Sequence, residues 1–470
     1  MFIRHNDLVI SKDDPFATCQ LGRKKYADVL TQIVDEPGNG FVLAINNEWG
    51  TGKTTFVKMW QQQLQNNGFT TLYFNAWEND FERNPLAAIM SELKVLRKKS
   101  NAKTFDSLVK KGAVLTKNVL PALVKGLAKR YIDSEELVEG IVSSTEAAAE
   151  ILENEIDEYT ARKKSLLDFR ADLEKFLEST KGDKPVIFII DELDRCRPNY
   201  AVEVLEHMKH FFAVNGIIFV LSIDKVQSGH AVRGVYGSEQ LNADEYLRRF
   251  IDLEYSIPEP DIEKFVNYLF KYFSFDQFFK SPKKLEYRSA ESDRESFQNL
   301  AKILFKLKSP TLRQQEKIFA QARIALKMFS YEQFLFPETL LFLIYLRSTD
   351  HEFFIKIAGK KLNLQELSDE FFLKIGRGSS DTVVRHMLFL EVQVTNLYNN
   401  YISENQYDSS RYRRVEKGEE LPLVISKLDQ SENQQQYLEC IRYLNREPDR
   451  SYVSLKHLLD RINLTETLVS

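Results

Sequence analysis

A glycine turn ending in Gly-Lys-Thr carries the residue types that bind phosphate. An apolar stretch from Phe41 to Asn46 leads into this turn, and a helical pattern follows it. A strand, a glycine-containing loop and a helix N-terminus together direct main-chain N–H groups at an anion. Lys53 is predicted to contact the β- and γ-phosphates of a nucleotide, and Thr54 to hold Mg²⁺. The predicted nucleotide-binding residues of the turn are Asn47, Glu48, Trp49, Gly50, Thr51, Gly52, Lys53, Thr54 and Thr55.

Asn47 occupies the position at which such loops usually have their first glycine. Asparagine adopts left-handed backbone conformations more readily than other non-glycine residues. We therefore expect the loop to form with Asn47 in place of the glycine. Asn47 is also the first residue to test if hydrolysis at this site proves weak.

Two acidic residues follow an apolar run from Val186 to Ile190. A buried parallel strand would place Asp191 at the carboxyl edge of a sheet, beside the loop, where it can orient Mg²⁺ through water. Glu192 then stands where a carboxylate can orient or deprotonate an attacking water. Two acids can also cap a following helix, but the presence of Lys53 in the same chain favours catalysis.

Further polar residues lie close to these motifs in the predicted fold. Asp194 and Arg195 are explained as well by an ion pair or a helix cap as by a place beside the site. Ser222 lies near the end of a strand-like run, and Asp224 directly follows that run. Either side chain could contact the γ-phosphate or the attacking water, although a cap or turn is the rival interpretation.

Three arginines could contact a nucleotide from more distant elements. Arg248 and Arg249 directly precede the last strand-like run, where an arginine can reach the γ-phosphate bound by a neighbouring subunit. Solvated charge explains them equally well. Arg313 stands in the first turn of a predicted helix and could contact the nucleotide from a helical lid.

The composition indicates a soluble globular protein with more than one domain. The chain has 470 residues, of which 43% are hydrophobic and 28% are charged. A formal net charge of -4 argues against a general nucleic-acid-binding role. Three widely separated cysteines indicate a reducing compartment without a disulfide framework. With no signal-peptide pattern and no apolar run long enough to span a bilayer, we predict a cytoplasmic location.

The order of strand-like and helical patterns predicts an α/β fold. Short β-branched or aromatic runs alternate with helical patterns, as in a three-layer nucleotide-binding core with a parallel five-stranded sheet. The predicted strands are Phe41–Asn46, Thr71–Phe74, Val186–Ile190, Ile217–Ile223 and Leu253–Ile257. We assign residues 1–95 and 184–260 to this core, 96–183 to a helical insert between strands 2 and 3, 261–335 to a helical lid, and 336–470 to a helical C-terminal domain.

The predicted insert is asymmetric in charge. Its first part is basic, and the part from Asp133 to Glu158 is acidic. Two helices with complementary solvated faces explain this pattern. Alternatively, the basic amphipathic half around Val114–Leu127 contacts a membrane surface, nucleic acid or a partner protein. Pro121 would kink that helix.

No strand signal follows Pro260. We therefore predict an all-α region. Its helices are predicted at Ile262–Phe275, Glu295–Leu307, Leu312–Phe329, Pro337–Leu346, Leu364–Ile375, Leu421–Leu428 and Gln434–Leu444.

The motifs together resemble the KAP family of P-loop NTPases, which is related to the STAND and AAA+ ATPases. The resemblance extends over about residues 15–330. Its most specific parts are Trp49 within the loop and the run Tyr73-Phe-Asn-Ala-Trp77. The resemblance also rests on Leu21-Gly-Arg-Lys-Lys-Tyr-Ala-Asp-Val-Leu30, Glu48-Trp-Gly-Thr-Gly-Lys-Thr-Thr55, Asp191-Glu-Leu-Asp-Arg-Cys196 and the segment from Tyr246 to Pro258.

The resemblance implies a P-loop core of the additional-strand type that binds ATP with Mg²⁺. Many members of the family carry transmembrane helices at the position of the insert, which here is too polar to span a bilayer. A soluble or peripherally membrane-associated variant is therefore implied. Bacterial relatives exclude phage, so a role in defence is expected from the family alone.

Our leading hypothesis is an ATP-driven molecular switch or assembly ATPase that acts as a homo-oligomer or with a partner protein. A nucleotide-gated scaffold with little hydrolysis is the first alternative, and the departure at Asn47 favours it. A small-molecule kinase is less favoured, because the pair Asp191-Glu192 suits activation of water. Adenine is favoured over guanine, since Ile223-Asp-Lys225 lacks the guanine-reading pattern.

Overall fold

A computed structural model describes residues 9–36, 40–82, 84–118, 145–180, 182–212, 214–280, 290–329, 334–375, 380–403, 413–416, 419–446 and 452–464. The chain divides into an N-terminal unit, Asp7–Glu259, and a C-terminal unit that contains Pro260–Ser470. The finer division of the second unit into a lid and a C-terminal domain stays a prediction.

The N-terminal unit contains the predicted parallel five-stranded sheet. Its strands are β1 (Val42–Asn46), β2 (Thr70–Asn75), β3 (Val186–Asp191), β4 (Ile217–Ile223) and β5 (Leu253–Tyr255). They lie in the order β2-β3-β4-β1-β5, and every neighbouring pair is parallel. Because β4 lies between β1 and β3, the sheet is of the predicted additional-strand type. Each predicted strand agrees with an observed one to within two residues at either end.

Helices cover both faces of this sheet and complete the three layers. Leu43 and Ile45 face one apolar core, which they share with Phe56 and Trp60 of the helix after the loop. Phe188 and other residues on the opposite face form a second core. The helices of this unit are α1 (Lys24–Asp35), α2 (Lys53–Asn66), α3 (Pro85–Leu93), α4 (Ala102–Asn118), α5 (Thr145–Glu178), α6 (Pro198–Phe211), α7 (Lys225–Tyr236) and α8 (Ala243–Leu247).

The insert between β2 and β3 contains helices α4 and α5, which pack together. The rings of Phe105 and Phe176 lie 5.2 Å apart, and Lys111 forms an ion pair of 2.7 Å with Asp172. Among the helices of the described ranges, none is long and apolar enough to cross a bilayer. Pro121, most of the segment Val114–Leu127 and the first part of the acidic half of the insert lie outside the described residues. A membrane, nucleic-acid or partner contact through the basic half stays a prediction.

The described part of the C-terminal unit is helical, with a short hairpin that the sequence did not predict. Aromatic side chains from several helices form part of its core, with the rings of Phe275 and Phe297 5.0 Å apart and those of Phe297 and Phe319 5.8 Å apart. Its helices are α9 (Ile262–Tyr272), α10 (Asp276–Phe279), α11 (Ala290–Lys308), α12 (Leu312–Leu326), α13 (Pro337–Thr349), α14 (His351–Ala358), α15 (Leu364–Ile375), α16 (Asp381–Ile402), α17 (Gln435–Leu444) and α18 (Lys456–Asn463), and the hairpin strands are β6 (Arg413–Glu416) and β7 (Glu419–Pro422).

The helix predicted at Leu421–Leu428 is wrong. Leu421 lies in β7, where it pairs with Arg414, and residues 423–428 form no helix. The alternation of apolar residues in this segment fits a short hairpin and the loop that follows it as well as it fits a helix.

Candidate nucleotide site

The glycine turn connects β1 to α2 and has its left-handed residues at Gly50 (φ 82°) and Gly52 (φ 81°). The expectation of a left-handed Asn47 is wrong, because its φ is not positive. The Asn47 side chain instead forms two hydrogen bonds with the main chain of Ile257, just after β5. Its Nδ2 donates to the carbonyl of Ile257, and its Oδ1 accepts from the Ile257 N–H, each at 2.8 Å. Asn47 therefore replaces the usual glycine and joins the loop to the segment after β5 by two hydrogen bonds.

Two buried cations hold the main chain of the turn. The Lys53 ammonium donates to the carbonyls of Asn47 and Glu48, the latter at 3.2 Å. Burial lowers the pKa of Lys53, whereas the carboxylates near it act in the opposite direction. From the start of α1, Arg23 donates to the carbonyls of Thr51 at 2.7 Å and Gly52 at 3.2 Å. The loop is thus fixed from both sides before α2 begins.

Asp191 ends β3 at the carboxyl edge of the sheet, as predicted, and is almost fully buried. Its Oδ2 accepts a hydrogen bond of 2.9 Å from the Tyr73 hydroxyl of β2. Its Oδ1 accepts from the N–H of Glu192 at 2.9 Å. Burial, followed by the charge of Asp191, raises the pKa of Tyr73, so this phenol stays a proton donor to the carboxylate.

Glu192 adopts a left-handed conformation (φ 61°), which costs a non-glycine residue about 1 kcal/mol or more. Its Oε1 lies 2.9 Å from Nη1 of Arg195 and accepts from the Thr54 hydroxyl at 3.4 Å. Its Oε2 accepts from Nδ2 of Asn75 at 3.4 Å. The structure therefore brings the predicted base together with the predicted Mg²⁺-binding hydroxyl.

Asp194 and Asp224 connect the turn to the segments that follow β3 and β4. The Trp49 indole N–H donates to Oδ2 of Asp194, and the same oxygen accepts from the N–H of Asp224 at 3.0 Å. Asp224 Oδ2 accepts from the Trp49 N–H at 3.2 Å, while its Oδ1 caps α7 through the N–H groups of Val226 and Gln227. Asp224 is therefore a helix cap and a contact of the loop at once.

Ser222 lies on β4 in register with Asp191 of β3 and Ile45 of β1. Paired residues of parallel strands point to the same face of a sheet, so Ser222 faces α2 as Asp191 does. It is fully buried, and its hydroxyl has no hydrogen-bond partner among the described residues. Buried hydroxyls normally have a partner, so this oxygen is suited to a bound group.

Arg249 lies at the opposite edge of the sheet from the turn, and Arg313 lies in the C-terminal unit. Arg248 and Arg249 precede β5, whose start is bonded to the start of β1 by Asp252 and Val42 at 3.0 Å. That is the amino edge of the sheet, opposite to the turn, and Arg249 lines a cavity there. Arg313 is an exposed residue in the first turn of α12, in the C-terminal unit. Roles for these arginines in nucleotide binding stay predictions.

The side chains at the carboxyl edge fit a nucleotide with Mg²⁺. Hydroxyl and carboxylate oxygens are the ligands that Mg²⁺ prefers, and Thr54, Asp191 and Glu192 supply them next to the loop. Within the described ranges, no cluster of three or more His, Cys, Asp or Glu side chains could hold a metal alone. Mg²⁺ is usually bound by one or two carboxylates together with substrate phosphates, which agrees with this arrangement. The unpartnered hydroxyl of Ser222 is a further polar group for a bound ligand.

Sequence reasoning missed the roles of Arg23, Tyr73 and Asn75. All three lie in runs that carried the family resemblance, but their contacts are with residues distant in sequence. A signal was present for Tyr73 and Asn75, because the β2–β3 register places Asn75 opposite Asp191 and Tyr73 two residues earlier on the same face. No comparable pattern indicated that Arg23 would reach the turn.

The chain matches a known protein family. The model of the KAP family P-loop domain matches residues 23–332, more than half of the chain. No curated protein matches the chain. Among solved structures, the chain is similar to the Aeropyrum pernix ORC2 protein in its ADPNP-ADP complexes, with 11% identity over 90% of this chain and 94% of that chain. The TM-score of 0.30 is too low for this likeness to support an argument. The family match shows that the chain belongs to the KAP family of P-loop NTPases.

Proposed function

We propose that the protein binds ATP with Mg²⁺ and hydrolyses it, and that it uses this cycle as a molecular switch. The observation that carries the proposal is the meeting of Lys53, Thr54, Asp191 and Glu192 at one edge of the sheet. Ser222, fully buried in register with Asp191, adds a polar group that could contact the γ-phosphate.

Each side chain has a distinct task in the proposed reaction. Lys53 and the N–H groups at the start of α2 would bind the phosphates, and Thr54 and Asp191 would hold Mg²⁺. When bound, Mg²⁺ would neutralise charge on the phosphates. Glu192 would accept a proton from the water that attacks the γ-phosphorus, as the bond to the bridging oxygen of ADP breaks.

A nucleotide-gated scaffold with little hydrolysis is the second candidate. Both carboxylate oxygens of Glu192 are engaged, one by Arg195 and Thr54 and the other by Asn75. A carboxylate held in this way is a poor base for the attacking water, so hydrolysis of ATP is slow unless these contacts change. The departure at Asn47 no longer favours the scaffold, because this residue has a structural role.

Phosphate release from ATP in the presence of Mg²⁺ separates the two candidates. Lys53→Ala should lose ATP binding, and Glu192→Gln should bind ATP but lose turnover. Lys25→Ala and Glu239→Gln remove the same charges at exposed positions and should behave as wild type. ATP binding with no phosphate release by the wild type would favour the scaffold, and normal turnover by both site variants would refute the proposal.

The switch is expected to act through an oligomer or a partner protein, and the family resemblance suggests defence against phage. Producing the wild type and Lys53→Ala in a phage-sensitive bacterial host tests this. A reduced plaque count with the wild type alone would support a nucleotide-dependent role in defence. Equal plaque counts across a broad set of phages would count against it, without bearing on hydrolysis.

A further inference from the structure

We propose that Arg195 is a positioning residue that restrains basal hydrolysis by holding the Glu192 carboxylate, with the exposed Trp77 ring as its support. This inference rests on the proposed function, in which Glu192 activates water. It assigns a role to a residue that the motif alone leaves open between an ion pair, a cap and a place beside the site.

The ion pair occupies the oxygen of Glu192 that lies nearest to the turn. Oε1, which accepts from the Thr54 hydroxyl, is the oxygen that Nη1 of Arg195 contacts at 2.9 Å. Charge-assisted hydrogen bonds are roughly twice as strong as neutral ones, so a water molecule competes poorly for that oxygen. The three residues after Glu192 form a short turn of 3₁₀ helix, Leu193–Arg195, which keeps the side chains of Glu192 and Arg195 together.

Arg195 is supported from the other side by Trp77. The centre of its guanidinium group lies 5.7 Å from the centroid of the Trp77 ring, within the range of a cation–π contact. Trp77 is 51% exposed, although it directly follows Ala76, which is fully buried just after β2. The contact with the Arg195 guanidinium group explains why an indole is exposed at this position.

The turn that contains Asn75 and Trp77 contributes to the contacts of both carboxylate oxygens of Glu192. Asn75 Oδ1 accepts from the N–H of Trp77 at 3.1 Å, while Asn75 Nδ2 donates to Oε2 of Glu192. The same turn therefore holds one oxygen of the carboxylate directly and the other through Trp77 and Arg195. A change at Trp77 should loosen Arg195 without touching the loop, Lys53 or the predicted Mg²⁺ ligands.

Steady-state phosphate release by Arg195→Gln, Arg195→Lys and Trp77→Ala tests the proposal. We expect kcat to rise by roughly three- to tenfold in Arg195→Gln, with little change in the KM for ATP. Arg195→Lys keeps a cation and should lie between Arg195→Gln and wild type. Trp77→Ala should shift kcat in the same direction by a smaller factor. A purely structural role for Arg195 would lower kcat and give no recovery with lysine.

Arg197→Gln is the matched control, because it removes the same charge two residues away. Arg197 contacts Asp80 of the β2–α3 segment, with 3.6 Å between Nε and Oδ2, so the control also tests loosening of that segment. It should leave kcat at the wild-type value. The double variant Arg195→Gln/Glu192→Gln should show no rise, because the base is absent.

An unchanged or lower kcat in both Arg195→Gln and Trp77→Ala, with turnover by the wild type, would overturn the restraint while leaving the proposed function intact. If Arg195→Gln does not fold, the exposed Trp77→Ala decides the question alone. A rise in either variant from a wild type that barely turns over would support the restraint. If the wild type, Arg195→Gln and Trp77→Ala all bind ATP and none of them turns it over, both proposals are overturned together.

Discussion

The indole N–H of Trp49, in the phosphate loop, donates to Oδ2 of Asp194, three residues after the end of β3. The same oxygen accepts from the N–H of Asp224, at the start of α7. Burial raises the pKa of Asp194, and the bond from Trp49 and the charge of Lys53 oppose this effect. Asp194 thus joins three segments around the nucleotide site, and Trp49 connects the loop to it.

Asp194→Ala should destabilise the N-terminal unit and weaken ATP binding. The substitution leaves the Asp224 N–H, which is buried, without its acceptor, and such a loss costs about 1–3 kcal/mol in the free energy of unfolding. The loop also loses its contact through Trp49. Urea denaturation measures the first effect, and calorimetric titration with ATP measures the second.

Asp194→Asn keeps an acceptor oxygen and should recover most of the stability. Asp13→Ala removes an exposed carboxylate and should change the unfolding free energy by less than about 0.5 kcal/mol. Wild-type stability and ATP affinity in Asp194→Ala would show that these hydrogen bonds do not hold the loop.

Local patterns predicted the strands and the place of Asp191 at the carboxyl edge of the sheet, because a short motif determines its own local structure. Asp191 is the last residue of β3 and Glu192 follows it, so the strand determines where they lie. Asn47 was misjudged because its hydrogen-bond partner, Ile257, lies 210 residues along the chain. The contacts of Arg23 were missed for the same reason. A residue whose role is set by tertiary neighbours cannot be understood from its own segment.

The C-terminal unit shows the same limit on a larger scale. Helix α16, Asp381–Ile402, was missed because its second half carries Gln393, Thr395 and Asn396, which read as polar loop residues. These side chains are buried, and Gln393 accepts from the Thr339 hydroxyl at 2.5 Å. Buried polar residues on a helix hide the apolar face on which sequence patterns depend.

Asn47→Gly, which restores the usual loop glycine, should destabilise the protein rather than improve it. The change removes both hydrogen bonds to Ile257 and adds backbone freedom to the unfolded chain. Two hydrogen bonds of about 1 kcal/mol each suggest a loss of about 2 kcal/mol in the free energy of unfolding. Urea denaturation gives the loss, and phosphate release should not exceed that of the wild type.

Asn67→Gly is the control for the added backbone freedom, since Asn67 is exposed just after α2. It should cost less than Asn47→Gly. A stable Asn47→Gly variant with faster turnover would mean that Asn47 impairs the loop, as the sequence first suggested.

Glu391 should make the stability of the C-terminal unit depend on pH. Its carboxyl group is 1% exposed and accepts hydrogen bonds of 2.5 Å from the hydroxyls of Ser368 and Ser426. Burial raises its pKa to about 7 from 4.5. Because the folded-state pKa is the higher one, the stabilisation is complete below pH 4.5 and is lost as the pH rises to about 7. The loss is about 3 kcal/mol at most.

Hydrogen exchange of the α16 amides between pH 5 and pH 8, corrected for intrinsic rates, measures this effect. Protection should fall towards pH 7 in the wild type and then level off. Glu391→Gln keeps a neutral group between the two serines and should remove the slope. Glu352→Gln, at an exposed position of α14, should leave it unchanged. The same slope in Glu391→Gln and wild type would assign the pH dependence to other groups.

Arg248 and Arg249 should act on the nucleotide of a neighbouring subunit if they act on a nucleotide at all. Arg249 lies at the amino edge of the sheet, opposite to the phosphate loop of its own unit, and Arg248 directly precedes it. An arginine supplied in trans stabilises charge in the transition state of phosphoryl transfer. A mixture of Arg248→Ala/Arg249→Ala with Glu192→Gln should therefore recover activity, because one mixed interface pairs an intact base with intact arginines. Phosphate release as a function of mixing ratio measures the recovery.

Mixing each variant with more of itself is the control and should restore nothing. The recovery should also depend on protein concentration, because it requires association of subunits, whereas turnover at a site within one subunit should not. Loss of activity in the arginine variant without recovery at any mixing ratio would place the arginines in a structural role. Full activity of the arginine variant alone would mean that these residues are solvated charges, as one interpretation of the sequence holds.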